Sequence, residues 1–268
     1  MEQNGKPKVG IVGLTGCAGD QIQILNCEDE LLGLTEQIDL VDWVMVRSEN
    51  DQTCSLDIAF VEGVVATEKD LSDLKQIRAR AKTLVAIGTC AVWGGLPAMR
   101  NTLPQEVLKR EISQEVGTEF IETVEARPAT HFVPFEFALP GCPIERHEFL
   151  ATVAALLAGT TPELVQTPVC WECKVQENLC RVVYYQEVCC GAMTRSGCNA
   201  RCPSHGVACA GCRGPVEEPN YDANITMFAG RRISWKEIAQ RMANFSAPVW
   251  LKLGLEQEAH RERKNSDH

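Results

Sequence analysis

Short apolar runs recur through the first 160 residues of the chain and predict a series of buried strands. The runs occupy residues 8–14, 42–46, 58–61, 83–87 and 135–139. Most of them are rich in β-branched residues, and runs of this length are typical of strands that are covered on both faces. We therefore expect the first part of the chain to contain a largely buried sheet.

Helical patterns lie between these runs. Thr67 followed by Asp70 resembles a capping box, and residues 71–81 then repeat apolar side chains at helical spacing. A second helix is predicted after Pro143, a favoured first helical residue, and before Gly159, a natural stop. Strands that alternate with helices indicate a parallel, doubly wound sheet, so we predict an α/β fold of the flavodoxin-like kind.

The pattern changes after Gly159. Residues 160–230 show little periodicity and many cysteine, glycine and proline residues, and so small a core would need metal centres to fold. Ser234 opens another capping box, which predicts a last helix. The apolar face of that helix would consist of Ile238, Met242 and Phe245. We expect two parts: a flavodoxin-like domain over residues 1–160 and a C-terminal segment poor in regular structure over residues 161–268.

The composition is that of a folded, acidic protein. Hydrophobic residues make up 45% of the 268 residues and charged residues 23%, which excludes disorder over most of the length. A formal net charge of −10 argues against a nucleic-acid partner, because such a partner requires a basic surface. No apolar run approaches the ~20 residues of a membrane-spanning helix, and the N-terminus carries neither a signal peptide nor a twin-arginine signal. We expect a cytoplasmic protein without a membrane contact.

Cysteine is unusually frequent in this chain. There are 14 cysteines, and nine of them lie between Cys170 and Cys212. Disulfides are disfavoured in a cytosolic chain of this length, so metal binding is the better explanation. A disulfide-held interaction protein is the weaker alternative.

Three cysteines follow predicted strands directly. Cys17 comes after the first strand, Cys90 after the strand at residues 83–87, and Cys142 after the strand at residues 135–139. The carboxyl ends of parallel strands share one edge of a sheet, so the three thiols could converge there. Three thiolates suit an iron–sulfur cluster or zinc, and Asp20 is the candidate fourth ligand. The alternative role for Asp20 is a simple helix N-cap.

The C-terminal segment contains a second group of cysteines, enough for two four-thiolate sites. Its members are Cys170, Cys173, Cys180, Cys189, Cys198, Cys202, Cys209 and Cys212, with Cys190 left over. Cys-x-x-Cys pairs at both ends are a strong metal signal. Two zinc sites are an alternative. However, most structural zinc sites use two Cys-x-x-Cys pairs, whereas the inner cysteines here are spread at irregular intervals.

These motifs resemble those of a known family. Four segments, residues 16–20, 61–63, 88–91 and 140–143, resemble the proximal-cluster motifs of nickel–iron hydrogenase small subunits. Three more, residues 170–173, 194–203 and 206–214, are similar to the delta subunit of the soluble, NAD(P)-linked sulfhydrogenase type. The resemblance extends from Lys8 to about Phe245.

The resemblance implies three [4Fe–4S] clusters. The proximal cluster would be bound by Cys17, Asp20, Cys90 and Cys142. The distal cluster would be bound by Cys170, Cys173, Cys180 and Cys189. The medial cluster would be bound by Cys198, Cys202, Cys209 and Cys212. Many membrane-linked relatives have proline in place of the Cys202 thiol and hold a [3Fe–4S] cluster there, so the Cys202 thiolate implies a [4Fe–4S] cluster in this chain. Most relatives have cysteine where this chain has Asp20.

The remaining candidates are expected to have other roles. Cys27, Cys54 and Cys190 are predicted to be non-ligand thiols, and His205 is not expected to bind metal, because four cysteines already satisfy its site. Glu62, at a strand end, is a possible proton-path residue, and its alternative is a capping or salt-bridge role.

The resemblance also implies a function and partners. The chain would relay electrons between a nickel–iron large subunit, which carries the active site, and a flavin- and NAD(P)-binding reductase subunit with an iron–sulfur subunit. No catalytic residue is expected in this chain. The alternatives are the small subunit of a deazaflavin-reducing hydrogenase of the same type and a zinc-binding module without redox chemistry.

Overall fold

The computed structural model describes residues 5–104, 106–108, 110 and 123–247, except residues 232, 235, 239 and 242. The chain forms two units, Met1–Leu164 and Val165–His268. No helix in the described ranges is both long enough and apolar enough to span a bilayer.

A five-stranded parallel sheet forms the centre of the first unit. The strands of this unit are β1 (Lys8–Gly13), β2 (Asp39–Asp42), β3 (Leu56–Glu62), β4 (Val64–Thr67), β5 (Ala81–Ile87), β6 (Thr123–Pro128) and β7 (Phe137–Leu139). The sheet order is β2-β1-β3-β5-β7, and β4 pairs separately with β6 in antiparallel fashion. Numbered among the five sheet strands alone, this order is 2-1-3-4-5, the flavodoxin-like arrangement. The predicted fold class is confirmed.

Helices cover both faces of the sheet because its strands alternate apolar side chains to each side. The helices are α1 (Gly19–Leu25), α2 (Glu28–Thr35), α3 (Glu68–Arg80), α4 (Gly88–Trp93) and α5 (Arg146–Leu157). Ile58 and Phe60 of β3 pack in one core with α1 and α5. Ala59 and Val61, the residues that alternate with them, pack in the other core with α3 and α4.

The start of α3 follows the sequence pattern. The Thr67 side chain accepts a hydrogen bond from the Asp70 backbone N–H, and the Asp70 carboxylate accepts one from the Thr67 N–H, as in a capping box. Leu74 and Ile77 are buried on its apolar face. The predicted capping residues are confirmed here, because the signal is local, whereas Ala81, which the pattern predicts on the helix, begins β5.

Two local predictions are wrong. The strand expected at residues 42–46 lies earlier, in β2, and Val44 to Val46 are exposed residues after it. The buried Trp43 side chain donates a hydrogen bond to Gln21 Oε1 instead of continuing a strand. The helix predicted to begin at Pro143 begins at Arg146.

The second unit has short elements, as predicted. They are α6 (Val169–Val175), α7 (Arg181–Tyr185), α8 (Arg201–Ser204) and α9 (Tyr221–Ala229), with isolated bridges between residues 168 and 195 and between residues 194 and 215. The predicted capping box is present, because Ser234 Oγ accepts from the Glu237 N–H and Glu237 Oε2 accepts from the Ser234 N–H. Ile238 is buried, whereas Met242 lies outside the described residues.

Candidate functional site

The carboxyl edge of the sheet brings together four residues that are far apart in sequence. Cys17 and Asp20 follow β1, Cys90 lies in α4 directly after β5, and Cys142 lies three residues beyond β7. Electrostatic interactions join Cys90 to the other three groups. In this strand order, the edge between β1 and β3 is the topological switch point, where α/β sheets bind ligands.

Hydrogen bonds fix the loops that carry these residues. Glu62, at the end of β3, is 3% exposed and accepts from the Asp20 backbone N–H at 3.3 Å and from Gln21 Nε2 at 3.0 Å. The Thr89 N–H donates to the Gly141 carbonyl at 2.7 Å, and the Gly141 N–H donates to Thr89 Oγ1 at 3.1 Å. The first pair of bonds ties the end of β3 to the start of α1, and the second pair ties the segments that follow β5 and β7 to each other. Glu62 therefore has a hydrogen-bonding role here.

Asp20 is buried inside this edge and does not cap a helix. The N-cap of α1 is Ala18, and no side chain caps it, so the alternative role for Asp20 is wrong. Asp20 Oδ1 accepts the Ile144 N–H at 2.8 Å. Burial, followed by the neighbouring Glu62 carboxylate, raises the pKa of Asp20 to about 7, although the Ile144 hydrogen bond opposes the rise.

Gly88 makes room for Asp20. A Cβ atom at Gly88 would lie 1.8 Å from Asp20 Oδ2, and the backbone there has a φ of +81°. Glycine adopts this φ at little cost, and any side chain would displace the carboxylate. The glycine that begins α4 is thus required by the position of Asp20.

The thiols of this edge have acidic neighbours. Burial raises the pKa of Cys90 to about 12, with further contributions from Cys142, Asp20 and Cys17. Burial, followed by Asp20, raises the pKa of Cys142 to about 11. Thiolates bind metals, so a positively charged metal centre would compensate the charge that burial disfavours. The donor set of three thiols and one carboxylate fits an iron–sulfur cluster.

The second unit assembles the first four cysteines of its group. Helix α6 carries Cys170 and Cys173, while Cys180 precedes α7 and Cys189 follows it. Burial raises the pKa of Cys170 to about 12, with Cys189, Cys173 and Cys180 adding to the rise. A Cβ atom at Gly191 would lie 3.6 Å from the Sγ atoms of both Cys170 and Cys189, so the backbone passes close beside these thiols.

Among the last four cysteines of the group, Cys209 lies beside Cys189 of the first four. Burial, followed by Cys189 and Cys190, raises the pKa of Cys209 well above its usual range, and Cys212 adds to the rise. The Cys209 N–H donates to Cys189 Sγ at 3.3 Å. Cys209 belongs to the buried core of the second unit, and Cys198 packs against that core. Cys202 lies in α8.

Two charged residues without a predicted role hold the loop that carries Cys198. Glu172 accepts the Gly197 N–H at 2.7 Å and the Ala200 N–H at 3.0 Å. Arg213 is 2% exposed, and its Nε donates to the Ser196 carbonyl at 2.8 Å. The sequence contains signals for both residues. Glu172 lies inside the first Cys-x-x-Cys pair, and Arg213 directly follows the last such pair.

None of the 14 cysteines, all of which lie in the described part of the chain, forms a disulfide. Cys27 is buried at the junction of α1 and α2, and the Cys54 thiol donates to the Asp51 carbonyl at 3.5 Å. Cys190 is buried, and its N–H donates to the Cys209 carbonyl at 3.0 Å. Among the residues that the structure describes, no group of three or more His, Cys, Asp or Glu side chains could hold a single metal ion.

Comparison with known proteins establishes the class. The family model described as NADH ubiquinone oxidoreductase, 20 Kd subunit, matches residues 17–156, a range that includes all four residues gathered at the sheet edge. The chain belongs to this family.

The proteins most usefully compared with this chain are subunits of hydrogenases. Sulfhydrogenase 2 subunit delta of Pyrococcus furiosus is 33% identical over 89% of this chain and 99% of that protein. An F420-non-reducing hydrogenase of Methanococcus voltae has a subunit that is 30% identical over 80% of this chain and 84% of that protein. A crystal structure of an NAD+-reducing NiFe hydrogenase contains a chain with a TM-score of 0.55 and 26% identity, covering 59% of this chain and 94% of that one. This chain is a small subunit of a nickel–iron hydrogenase.

Proposed function

We propose that this subunit holds three [4Fe–4S] clusters and relays electrons through them. The observation that carries the proposal is the convergence of Cys17, Asp20, Cys90 and Cys142 at one edge of the sheet, although 125 positions separate the first from the last. These four residues would hold the proximal cluster. When bound, such clusters accept and donate single electrons at potentials set by ligands, hydrogen bonds and exposure.

The second unit would hold the other two clusters. The distal set is Cys170, Cys173, Cys180 and Cys189, whose first member interacts with the other three. The medial set is Cys198, Cys202, Cys209 and Cys212. The eight thiols of these two sets, in a unit whose helices are short, support metal centres as a source of its stability.

The proposed partners are a nickel–iron large subunit, a flavin- and NAD(P)-binding reductase subunit and an iron–sulfur subunit. The similarity to a chain of an NAD+-reducing hydrogenase supports a nicotinamide acceptor. The relative from Methanococcus voltae that is named as F420-non-reducing is more similar to this chain than a coenzyme F420 hydrogenase subunit of the same organism, at 30% against 26% identity, which disfavours the deazaflavin alternative. A cytoplasmic location remains a prediction from the sequence.

Analysis of bound metal tests the number and kind of clusters. The anaerobically purified subunit should contain roughly twelve iron and twelve acid-labile sulfide per chain, as three four-iron clusters require. Cys90→Ser should lower both, while Cys54→Ser, a matched change outside the three sets, should leave both unchanged. Zinc in place of iron would reject the proposal.

Substitution of Asp20 tests its role as a ligand. Asp20→Cys replaces a hard oxygen donor by a thiolate, so it should shift the midpoint potential of the proximal cluster. Potentiometric titration followed by electron paramagnetic resonance would measure the shift. An unchanged titration would reject a ligand role for Asp20.

Assay of the purified complex identifies the electron acceptor. Hydrogen-dependent reduction of NAD+, NADP+ and the deazaflavin F420 would be compared on one preparation. Reduction of a nicotinamide alone is expected, and reduction of F420 alone would favour the alternative.

A further inference from the structure

Two opposite charges flank the loop that carries Cys198. The Glu172 carboxylate, on α6, lies 3.9 Å from Cys198 Sγ through its Oε2 atom. The Arg213 side chain is buried and also interacts electrostatically with Cys198. Cys198 therefore has both a carboxylate and a guanidinium acting on it.

Both residues also hold the backbone of this loop. Glu172 accepts two backbone N–H groups, those of Gly197 and Ala200, whose φ angles are +114° and +47°. Arg213 binds the carbonyl of Ser196 on the other side of Gly197. The loop is therefore fixed between an acceptor on α6 and a donor that follows Cys212.

Helix α6 links the two cysteine sets through this contact. Glu172 lies between Cys170 and Cys173 of the distal set, yet its carboxylate binds the loop of the medial set. Gln176 Nε2 adds a second bond of the same kind, to Asn199 Oδ1 at 2.7 Å. The position of one set thus depends on the helix that carries part of the other.

We propose that Glu172 and Arg213 are positioning residues that fix the Cys198 loop and set the potential of the medial cluster in opposite directions. The inference rests on the proposed function, since it requires a cluster at Cys198. An added electron places negative charge on the cluster, so the carboxylate opposes reduction and the guanidinium favours it. Burial of Arg213 strengthens its effect, because the interior has a lower effective dielectric constant than water.

The test is a redox titration of four charge-site variants and one cysteine variant, each followed by electron paramagnetic resonance and by iron analysis. Glu172→Gln should raise the midpoint potential of the medial cluster. Arg213→Gln should lower that potential by ~59 mV, which corresponds to a tenfold change in the equilibrium constant for one-electron reduction. The charge-retaining variants Glu172→Asp and Arg213→Lys should stay close to the wild-type potential. Cys202→Ala, which removes a thiol of this site, identifies the medial signal.

Matched controls remove charge elsewhere in the same unit. Glu177→Gln removes an exposed carboxylate just beyond α6, and Arg231→Gln removes a cation after α9. Neither should move the medial potential. Opposite shifts in the Glu172 and Arg213 variants, absent from these controls, would support the proposal.

The outcomes separate this inference from the proposed function. Wild-type protein without iron would refute the proposed function itself. Wild-type protein with its clusters, but with medial potentials that are unmoved or that move in the same direction, would refute the inference. Should Arg213→Gln fail to assemble, the absence of an upward shift in Glu172→Gln is sufficient to overturn it.

Discussion

Substitution of Gly88 tests whether the sheet edge is built around the buried Asp20 carboxylate. Gly88→Ala places a methyl group 1.8 Å from Asp20 Oδ2 and 2.5 Å from its Cγ atom. It also forces an L-residue to keep a φ of +81°. Both effects destabilise the native arrangement of the first unit.

The two contributions can be estimated separately. An L-residue in the left-handed region costs about 1–2 kcal/mol. Overpacking of a closely packed site costs a further ~1–3 kcal/mol. Gly88→Ala should therefore lower the free energy of unfolding of the first unit by about 2–5 kcal/mol.

Gly159→Ala is the matched control. Gly159 has a φ of +69°, but a Cβ atom there would meet nothing within 4 Å. This control should lose only the backbone contribution of about 1–2 kcal/mol. Adding Asp20→Ala to Gly88→Ala should restore part of the stability, because it removes the carboxylate that the new methyl group meets.

Native-state hydrogen exchange of the full chain at increasing urea concentration would measure these values. The slowest amides of β1, β3 and β5 report the unfolding free energy of the first unit. A loss in Gly88→Ala no larger than that in Gly159→Ala would refute the steric argument. So would strict additivity between Gly88→Ala and Asp20→Ala, because contacting residues should show coupling.

Three further predictions concern the stability of the first unit and would be checked by urea unfolding. Asp42→Ala should cost about 3–5 kcal/mol, since it leaves the largely buried Arg80 without its ion-pair partner; a loss below about 1 kcal/mol would contradict this. Thr67→Ala should cost about 1 kcal/mol by removing the cap of α3, and an unchanged midpoint would show that the cap contributes nothing. Burial of Glu136 would by itself raise its pKa, but a backbone N–H of β5 and then Arg78 lower it below the ordinary value. The advantage of wild type over Glu136→Gln should therefore be present at neutral pH and disappear as the pH falls through the folded-state pKa, and an advantage that persisted under acid would contradict the assignment.

Local signals in the sequence predicted the elements that depend on near neighbours. The α3 capping box and the buried strands β1, β3 and β5 follow from patterns within about ten residues. The error at residues 42–46 has a physical cause, because an apolar run looks the same in a strand and in a loop. The distant contact between Trp43 and Gln21 and the hydrogen bond from the Trp43 N–H to Asn50 Oδ1 hold this run outside the sheet.

The candidate site likewise has features that the sequence predicted and features that only the structure shows. The spacing and number of the cysteines predicted which thiols could act together, since Cys-x-x-Cys pairs and strand ends are visible in one dimension. The contacts of Asp20 with Gly88, Glu62 and Ile144 were not visible, because those residues lie between 42 and 124 positions away.

The sequence by itself determined the periodicities, the cysteine groups and the acidic composition, which depend on residue type and spacing alone. The tertiary structure decided which charged side chains meet the candidate ligands: Glu62 beside Asp20, and Glu172 and Arg213 on either side of the Cys198 loop. The reason is that strand order and loop path bring distant residues together, and electrostatic interactions depend on distance in space rather than along the chain.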